Sequence, residues 1–296
     1  MKSMKEIHKT LSDVQEELGT VIMGQQEVVK QILVALLCNS HALLESVPGL
    51  GKTTMVKSVA DVMKLKFARI QSTPDLMPSD ITGTLIVLEH HGKQVFQFQK
   101  GPIFANLILA DEINRATPKT QSAMLEAMQE RQVTVAGTTY PLDEPFFVLA
   151  TQNPIDQEGT YPLPEAQTDR FLLKVLVDYP SHKDEESIVN NYGSEDKKMP
   201  KVKQMLSQDN VVHLQKVTKQ VPISKDLQSQ IISLVQKTRD NKYIRMGASP
   251  RASLGLVVAA KSYAILNGRN YASREDVLAM AKPVLRHRLI PTFAAE

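Results

Sequence analysis

Three short stretches of the chain hold residue types that can do chemistry at the spacing chemistry needs. The first is Ser46-Val47-Pro48-Gly49-Leu50-Gly51-Lys52-Thr53. A glycine-rich turn lets successive backbone N–H groups face a single anion, and a helix opening behind it adds the positive end of its dipole. In such a loop Lys52 reaches the β- and γ-phosphates of a nucleotide, and the Thr53 hydroxyl is a ligand for Mg²⁺. Pro48, Gly49, Leu50, Gly51 and Thr54 complete the cradle. Ser46 stands where such loops usually begin with glycine, and serine fits there if its φ is negative. The second stretch is Asp111-Glu112, which closes the apolar run Leu107-Ile108-Leu109-Ala110. Behind a phosphate loop, Asp111 holds Mg²⁺ directly or through water, and Glu112 orients and deprotonates an attacking water. A polar strand end is the plainer reading of the same pair. The third is Gln152-Asn153-Pro154, where an amide at a strand end can hold the attacking water or the γ-phosphate; the plainer reading is an Asn-Pro turn.

These residues need a scaffold, and the hydrophobic pattern supplies one. Residues 5–18 carry Ile7, Leu11, Val14 and Leu18 at helical spacing; a second apolar helix covers 25–39 after a break at Gly24. A short apolar run, 42–45, leads into the glycine loop. A helix from Lys52 to about Met63 and a strand over 67–71 follow. Two β-prone runs, 84–88 and 94–99, flank His90-His91-Gly92-Lys93 and predict a hairpin. Residues 106–110 form a strand apolar on both faces. Thr117-Pro118 opens a helix reaching about Arg131, with the threonine hydroxyl as its cap. A second hairpin is expected over 132–142, and further buried strands over 146–151 and 171–177. Strands alternating with helices predict a mostly parallel α/β sheet. Past Tyr179-Pro180-Ser181 no buried strand is convincing. Helices are expected over 183–191, 224–239, 250–266 and 274–289, the last with a Ser273/Asp276 cap. The organisation is therefore an α/β core over 1–180 and an α-helical domain over 181–296.

Composition narrows the function classes. With 35 basic and 32 acidic residues the net charge is +3, too small to argue for nucleic acid by itself. Tryptophan is absent and aromatics make up 5%, which disfavours a base-stacking surface. The single cysteine, Cys38, excludes an intrachain disulfide framework and any multi-cysteine zinc site, and reads as a buried small hydrophobe. No apolar run approaches the length of a membrane span, and the start of the chain has no secretory pattern. A soluble, cytoplasmic chain is expected.

The whole chain from about residue 5 resembles the MoxR family of AAA+ ATPases. The most specific matching stretch is Leu109-Ala110-Asp111-Glu112-Ile113-Asn114-Arg115-Ala116-Thr117-Pro118-Lys119-Thr120-Gln121. It is joined by Ala150-Thr151-Gln152-Asn153-Pro154 and Leu163-Pro164-Glu165-Ala166-Gln167-Thr168-Asp169-Arg170-Phe171. The resemblance implies an AAA+ P-loop core with a parallel sheet, followed by a smaller α-helical lid. It implies that Val21-Ile22-Met23-Gly24-Gln25 packs on adenine, and that Asn153 is the first sensor. Arg170 takes the place of an arginine finger reaching a neighbouring subunit's nucleotide. Arg251, in Gly247-Ala248-Ser249-Pro250-Arg251, takes the place of the second sensor. Residues 84–101 match an insert in helix 2 and 132–142 the hairpin before the first sensor. Those insertions mark the branch that also holds the magnesium-chelatase ATPase subunit and certain DNA translocases. The family's chains usually continue past Arg286-His287-Arg288 further than this one, so a trimmed chain or a short member is expected.

Residue chemistry alone leaves the arginines open. Arg170 can pair with Asp169 instead, and Arg251 can be a surface arginine. A cation in the first turn of a helix opposes the dipole unless a phosphate repays it. Arg115 and Lys119 are either subunit contacts or surface charge. His90-His91 reads as a polar hairpin tip, Arg286-His287-Arg288 as a solvated helix end, and Met55, Met63, Met124 and Met128 as core filling. The expected function is Mg²⁺-dependent ATP hydrolysis in a homo-oligomeric ring, a hexamer by resemblance. Its output is chaperone-like remodelling or maturation of protein complexes, with von Willebrand factor A-type proteins among the clients. The alternatives are a DNA translocase or helicase motor, a magnesium-chelatase-like ATPase subunit, and a nucleotide-dependent scaffold.

Overall fold

In the computed structural model, residues 3–90, 93–154, 159–192 and 201–295 are described; His91 and Gly92 of the expected hairpin tip lie outside them. Helix α1 (Met4–Gly19) starts in a capping box between Ser3 and Glu6 and buries Ile7, Leu11, Val14 and Leu18, the residues its spacing singled out. Helix α2 (Gln26–Leu37) is buried along most of its second half. Then come β1 (Ala42–Ser46), α3 (Lys52–Val62), β2 (Phe67–Gln71) and the short α4 (Pro78–Thr82). Strands β3 (Gly83–His90) and β4 (Lys93–Lys100) pair antiparallel. All five residues of β5 (Leu107–Asp111) are buried. Helix α5 (Pro118–Glu130) follows, then the hairpin β6 (Gln132–Val135) and β7 (Thr138–Pro141). Strand β8 (Phe147–Gln152), the turn of helix α6 (Glu165–Thr168) and β9 (Leu173–Val177) end the sheet region. The remainder is α7 (His182–Tyr192), α8 (Gln208–Gln220), α9 (Lys225–Lys237), β10 (Ile244–Met246), α10 (Pro250–Leu266), α11 (Arg274–Leu285) and β11 (Ile290–Pro291). No helix among the described residues is long and apolar enough to cross a membrane.

The main sheet is ordered β2-β5-β8-β1-β9 and is parallel throughout. Its central strands are buried on both faces, which is why they read as continuous apolar runs rather than alternating ones. One core cluster joins α1, α2, α3, α10 and α11 to one face, and a second lies under α5 and the β6–β7 hairpin. In open sheets of this kind, ligands bind beyond the carboxyl ends of the strands. The neighbouring strands β5, β8 and β1 end at Asp111-Glu112, Gln152-Asn153 and the glycine loop.

The structure corrects two expectations and adds two elements the sequence did not single out. Arg286-His287-Arg288 is not a solvated helix end. Helix α11 stops at Leu285, and the chain turns inward. Arg288 is 4% exposed; its guanidinium donates to Asp169 Oδ1 at 2.7 Å and to the carbonyls of Asp169, Phe171, Leu172 and Val284. Thr117 has the backbone of an N-cap, but its hydroxyl meets Thr120 Oγ1 at 3.2 Å instead of capping α5. Helix α8 was not expected because its inner stripe includes polar residues: Gln215 donates to the Leu36 carbonyl and Thr218 to Leu214. A small antiparallel pair, β10 with β11, also appears beyond residue 180. Cys38 packs against the core as expected, and burial pushes its thiol up to about 12.

Two histidines make the fold acid-sensitive. His41 Nδ1 accepts the Val148 N–H at 3.0 Å, so the proton is on Nε2, facing the Met128 carbonyl at 3.1 Å. Burial, against the help of Met128, lowers its pKa to about 4. His287 is lowered to about 3 by burial and by neighbouring Arg288. Both folded values lie below the unfolded one near 6.5, so acid favours the unfolded chain. Their stabilisation is intact above pH 6.5 and is lost as pH falls toward 4. For His41 the loss at pH 5 is on the order of 2 kcal/mol. Thermal melts from pH 7.5 to 4.5 are expected to show a falling melting temperature whose fall is about halved in His41→Gln, His287 supplying the rest; a wild-type melting temperature constant over that range would refute this.

Candidate active site

Strand β1 runs into Ser46, which is buried and has no positive φ, so the expected backbone for serine at the loop's first position is present. Gly49 and Gly51 have φ of +88° and +70°. Nothing lies within contact distance of a Cβ at either position, so it is backbone conformation that calls for glycine. Gly51 is the N-cap of α3 and offers no side chain, and the first turn carries no acidic residue. The orphan N–H groups of that turn are therefore left for an external anion. Lys52, Thr53 and Thr54 lie half-buried in this first turn.

Asp111 ends β5 with a carboxylate that is 8% exposed and hydrogen-bonded at both oxygens. Oδ1 accepts the Thr151 hydroxyl at 2.7 Å; Oδ2 accepts Arg69 Nη2 at 2.6 Å and Nε at 3.2 Å. Glu112 follows in a left-handed conformation, φ 55° and ψ 50°. That costs on the order of 1 kcal/mol in a non-glycine residue, and such strain gathers at functional sites. Its N–H donates to Thr151 Oγ1 at 2.8 Å, so one hydroxyl locks both acidic residues. Glu112 Oε2 receives Gln71 Nε2 and Arg115 Nε, each at 3.2 Å. The open choice for Arg115 thus gains an ion pair with Glu112.

The donor set suits a hard divalent cation, since a carboxylate and a hydroxyl are oxygen ligands and phosphates add more. The guanidinium already on Asp111 shows that this carboxylate is placed to balance a cation.

Asn153 lies just past β8 and is buried. With Glu45, Asn114, Gln152, Thr160 and Pro162 it lines a cleft of about 360 Å³, and Asn114 Oδ1 in that wall has no hydrogen-bond partner. Arg170 is elsewhere. Its Nη1 donates to the Leu125 carbonyl at 3.1 Å, beside Glu126 and Glu130 on α5. The alternative pairing with Asp169 does not form, because Asp169 is held by Arg288 and by the Ser249 hydroxyl at 3.0 Å. Arg251 is the second residue of α10, as read from the sequence; its Nη1 sits 3.7 Å from Asp169 Oδ2, with the side chain 55% exposed. Gly24 has φ +71°, and a Cβ there would lie 2.6 Å from Asp184 Cγ, so α7 presses directly on this segment. Gln25 is the N-cap of α2.

Sequence reasoning missed Arg69, Gln71 and Thr151. Arg69 and Gln71 alternate on one face of β2, and Gln71 pairs in register with Asp111. Only that register reveals them.

Residues 41–173 match the model for the ATPase family associated with various cellular activities (AAA), and 236–296 match the AAA lid domain. The chain is 45% identical to Chaperone MoxR1 of Mycobacterium tuberculosis over 98% of its own length and 78% of that protein's. It is 42% identical to the uncharacterized protein YeaC of Bacillus subtilis, covering 98% and 90%, and 27% identical to Protein MoxR of Paracoccus denitrificans, covering 98% and 91%. A solved structure from Cytophaga hutchinsonii, provisionally described as an ATPase, superposes with a TM-score of 0.91 at 42% identity over 99% of this chain and 90% of that one.

Proposed function

The chain belongs to the MoxR family of AAA+ ATPases, and we propose that it hydrolyses ATP with Mg²⁺ as a ring of identical subunits, driving the remodelling or maturation of protein complexes. The observation that carries this reading is the locked pair Asp111-Glu112 at the same end of the parallel sheet as an uncapped helix start that carries Lys52 and Thr53.

In this reading the N–H groups from Gly49 to Thr54 cradle the phosphates, and Lys52 neutralises charge at the β- and γ-oxygens. Thr53 and Asp111 hold Mg²⁺, which when bound draws charge off the phosphates. Glu112 takes the proton of the attacking water, and Asn153 orients that water or the γ-phosphate. Gly24 and Gln25 sit against adenine, where α7 presses on the segment. Arg251 reaches the phosphates from the lid, a domain we place after residue 180. Arg170, which donates to the Leu125 carbonyl on α5, serves the neighbouring subunit. A relative described as a chaperone supports protein clients over nucleic acid; von Willebrand factor A-type proteins are the clients we propose.

The test is mass by light scattering with and without Mg–ATP, paired with specific activity across protein concentrations. A nucleotide-driven rise to roughly sixfold mass, with activity per subunit rising over the same range, is expected. A monomer that hydrolyses ATP at a concentration-independent specific activity would sink the shared-site reading.

A further inference from the structure

Arg69 grips Asp111 with two N–H groups from the neighbouring strand, and both go to one oxygen, Oδ2. The other oxygen takes the Thr151 hydroxyl. An ionised carboxylate offers about four acceptor positions, so groups of this chain fill most of them. The carboxylate is shielded from water, while the guanidinium is 46% exposed on its outer side. Asp111 is therefore neither bare nor a free ligand. A divalent cation bound at Oδ2 displaces the Arg69 N–H groups, and one bound at Oδ1 sits beside a fixed positive charge. Either route is opposed until negative phosphates arrive at the glycine loop. Arg69 does a second thing: its Nη2 donates to Gln71 Oε1 at 2.6 Å, which turns the Gln71 amide so that Nε2 faces Glu112. Arg115 meets Glu112 from the other side.

We propose that Arg69 is a positioning residue that keeps Asp111 from capturing a divalent cation before nucleotide binds, so that the metal enters the site together with the phosphates. The inference rests on the reading of this site as one for Mg–ATP.

The probe is Mn²⁺ followed by electron paramagnetic resonance on the full chain, with and without ADP. Wild type is expected to bind Mn²⁺ with ADP and not without it. Arg69→Gln is expected to bind Mn²⁺ without nucleotide and to tighten Mn²⁺ binding in the ADP complex by about tenfold. Arg69→Lys keeps the charge but not the fork and is expected to fall between. It also decides the matter if the glutamine variant melts early. Variants that still need ADP and bind Mn²⁺ no tighter than wild type overturn the proposal. A wild-type chain that binds no Mn²⁺ even with ADP overturns the Mg–ATP reading and this inference with it; the two failures are told apart by the wild-type titration alone.

Discussion

Arg170→Ala is expected to lower ATP turnover about a thousandfold while leaving nucleotide binding and melting temperature close to wild type. The structural cost is small. Among the described residues Arg170 makes one hydrogen bond, to the Leu125 carbonyl, and the buried charge pair next door belongs to Asp169 and Arg288. Losing one such bond at a partly exposed site costs about 1 kcal/mol or less. The catalytic cost is large if the guanidinium neutralises charge developing on a neighbour's γ-phosphate. Mixing separates a role across subunits from a role within one. An Arg170→Ala subunit keeps its own Lys52, Asp111 and Glu112; a Glu112→Gln subunit keeps its Arg170. Each is dead alone, but mixed rings contain interfaces where an intact site meets an intact arginine, and activity is expected to return. Two inactive variants that stay inactive on mixing, with ring mass retained, would rule out the role in trans.

The site's local half was legible in the sequence and its lateral half was not. The glycine loop, Lys52 and the Asp111-Glu112 strand end are set by residues adjacent in the chain, so their types and order suffice. Thr151, Arg69 and Gln71 act through strand register, in which Gln71 falls opposite Asp111. Nothing in the composition of 67–71 or 146–151 encodes that alignment. The sheet was legible for the reason its strands are buried: runs such as 107–110 are apolar on both faces. Arg288 was misread because a helical pattern was carried past Leu285, where the chain turns and a charged side chain serves as an internal tie. Burying that pair is costly unless every donor is met, and here four carbonyls and a carboxylate meet it.

Glu112→Gln is expected to bind ATP as well as wild type and to turn it over between about a hundred and ten thousand times more slowly. The exchange is nearly isosteric. A glutamine at 112 still accepts from Gln71 and Arg115 through its carbonyl oxygen, and its N–H still donates to Thr151. The left-handed backbone at this position is unaffected by the side-chain end group. What disappears is a base able to take the proton of the attacking water. Binding is retained because Lys52, Thr53 and Asp111 are untouched, so the variant accumulates in its ATP state. Filter binding of labelled ATP, followed by release of phosphate over hours, measures both halves. Retained binding with lost turnover fits Glu112 as the base, while lost binding would move it into the phosphate cradle. Turnover near wild type would take Glu112 out of the chemistry, leaving the strained backbone, its two hydrogen bonds and the Arg115 ion pair to serve Asp111 alone.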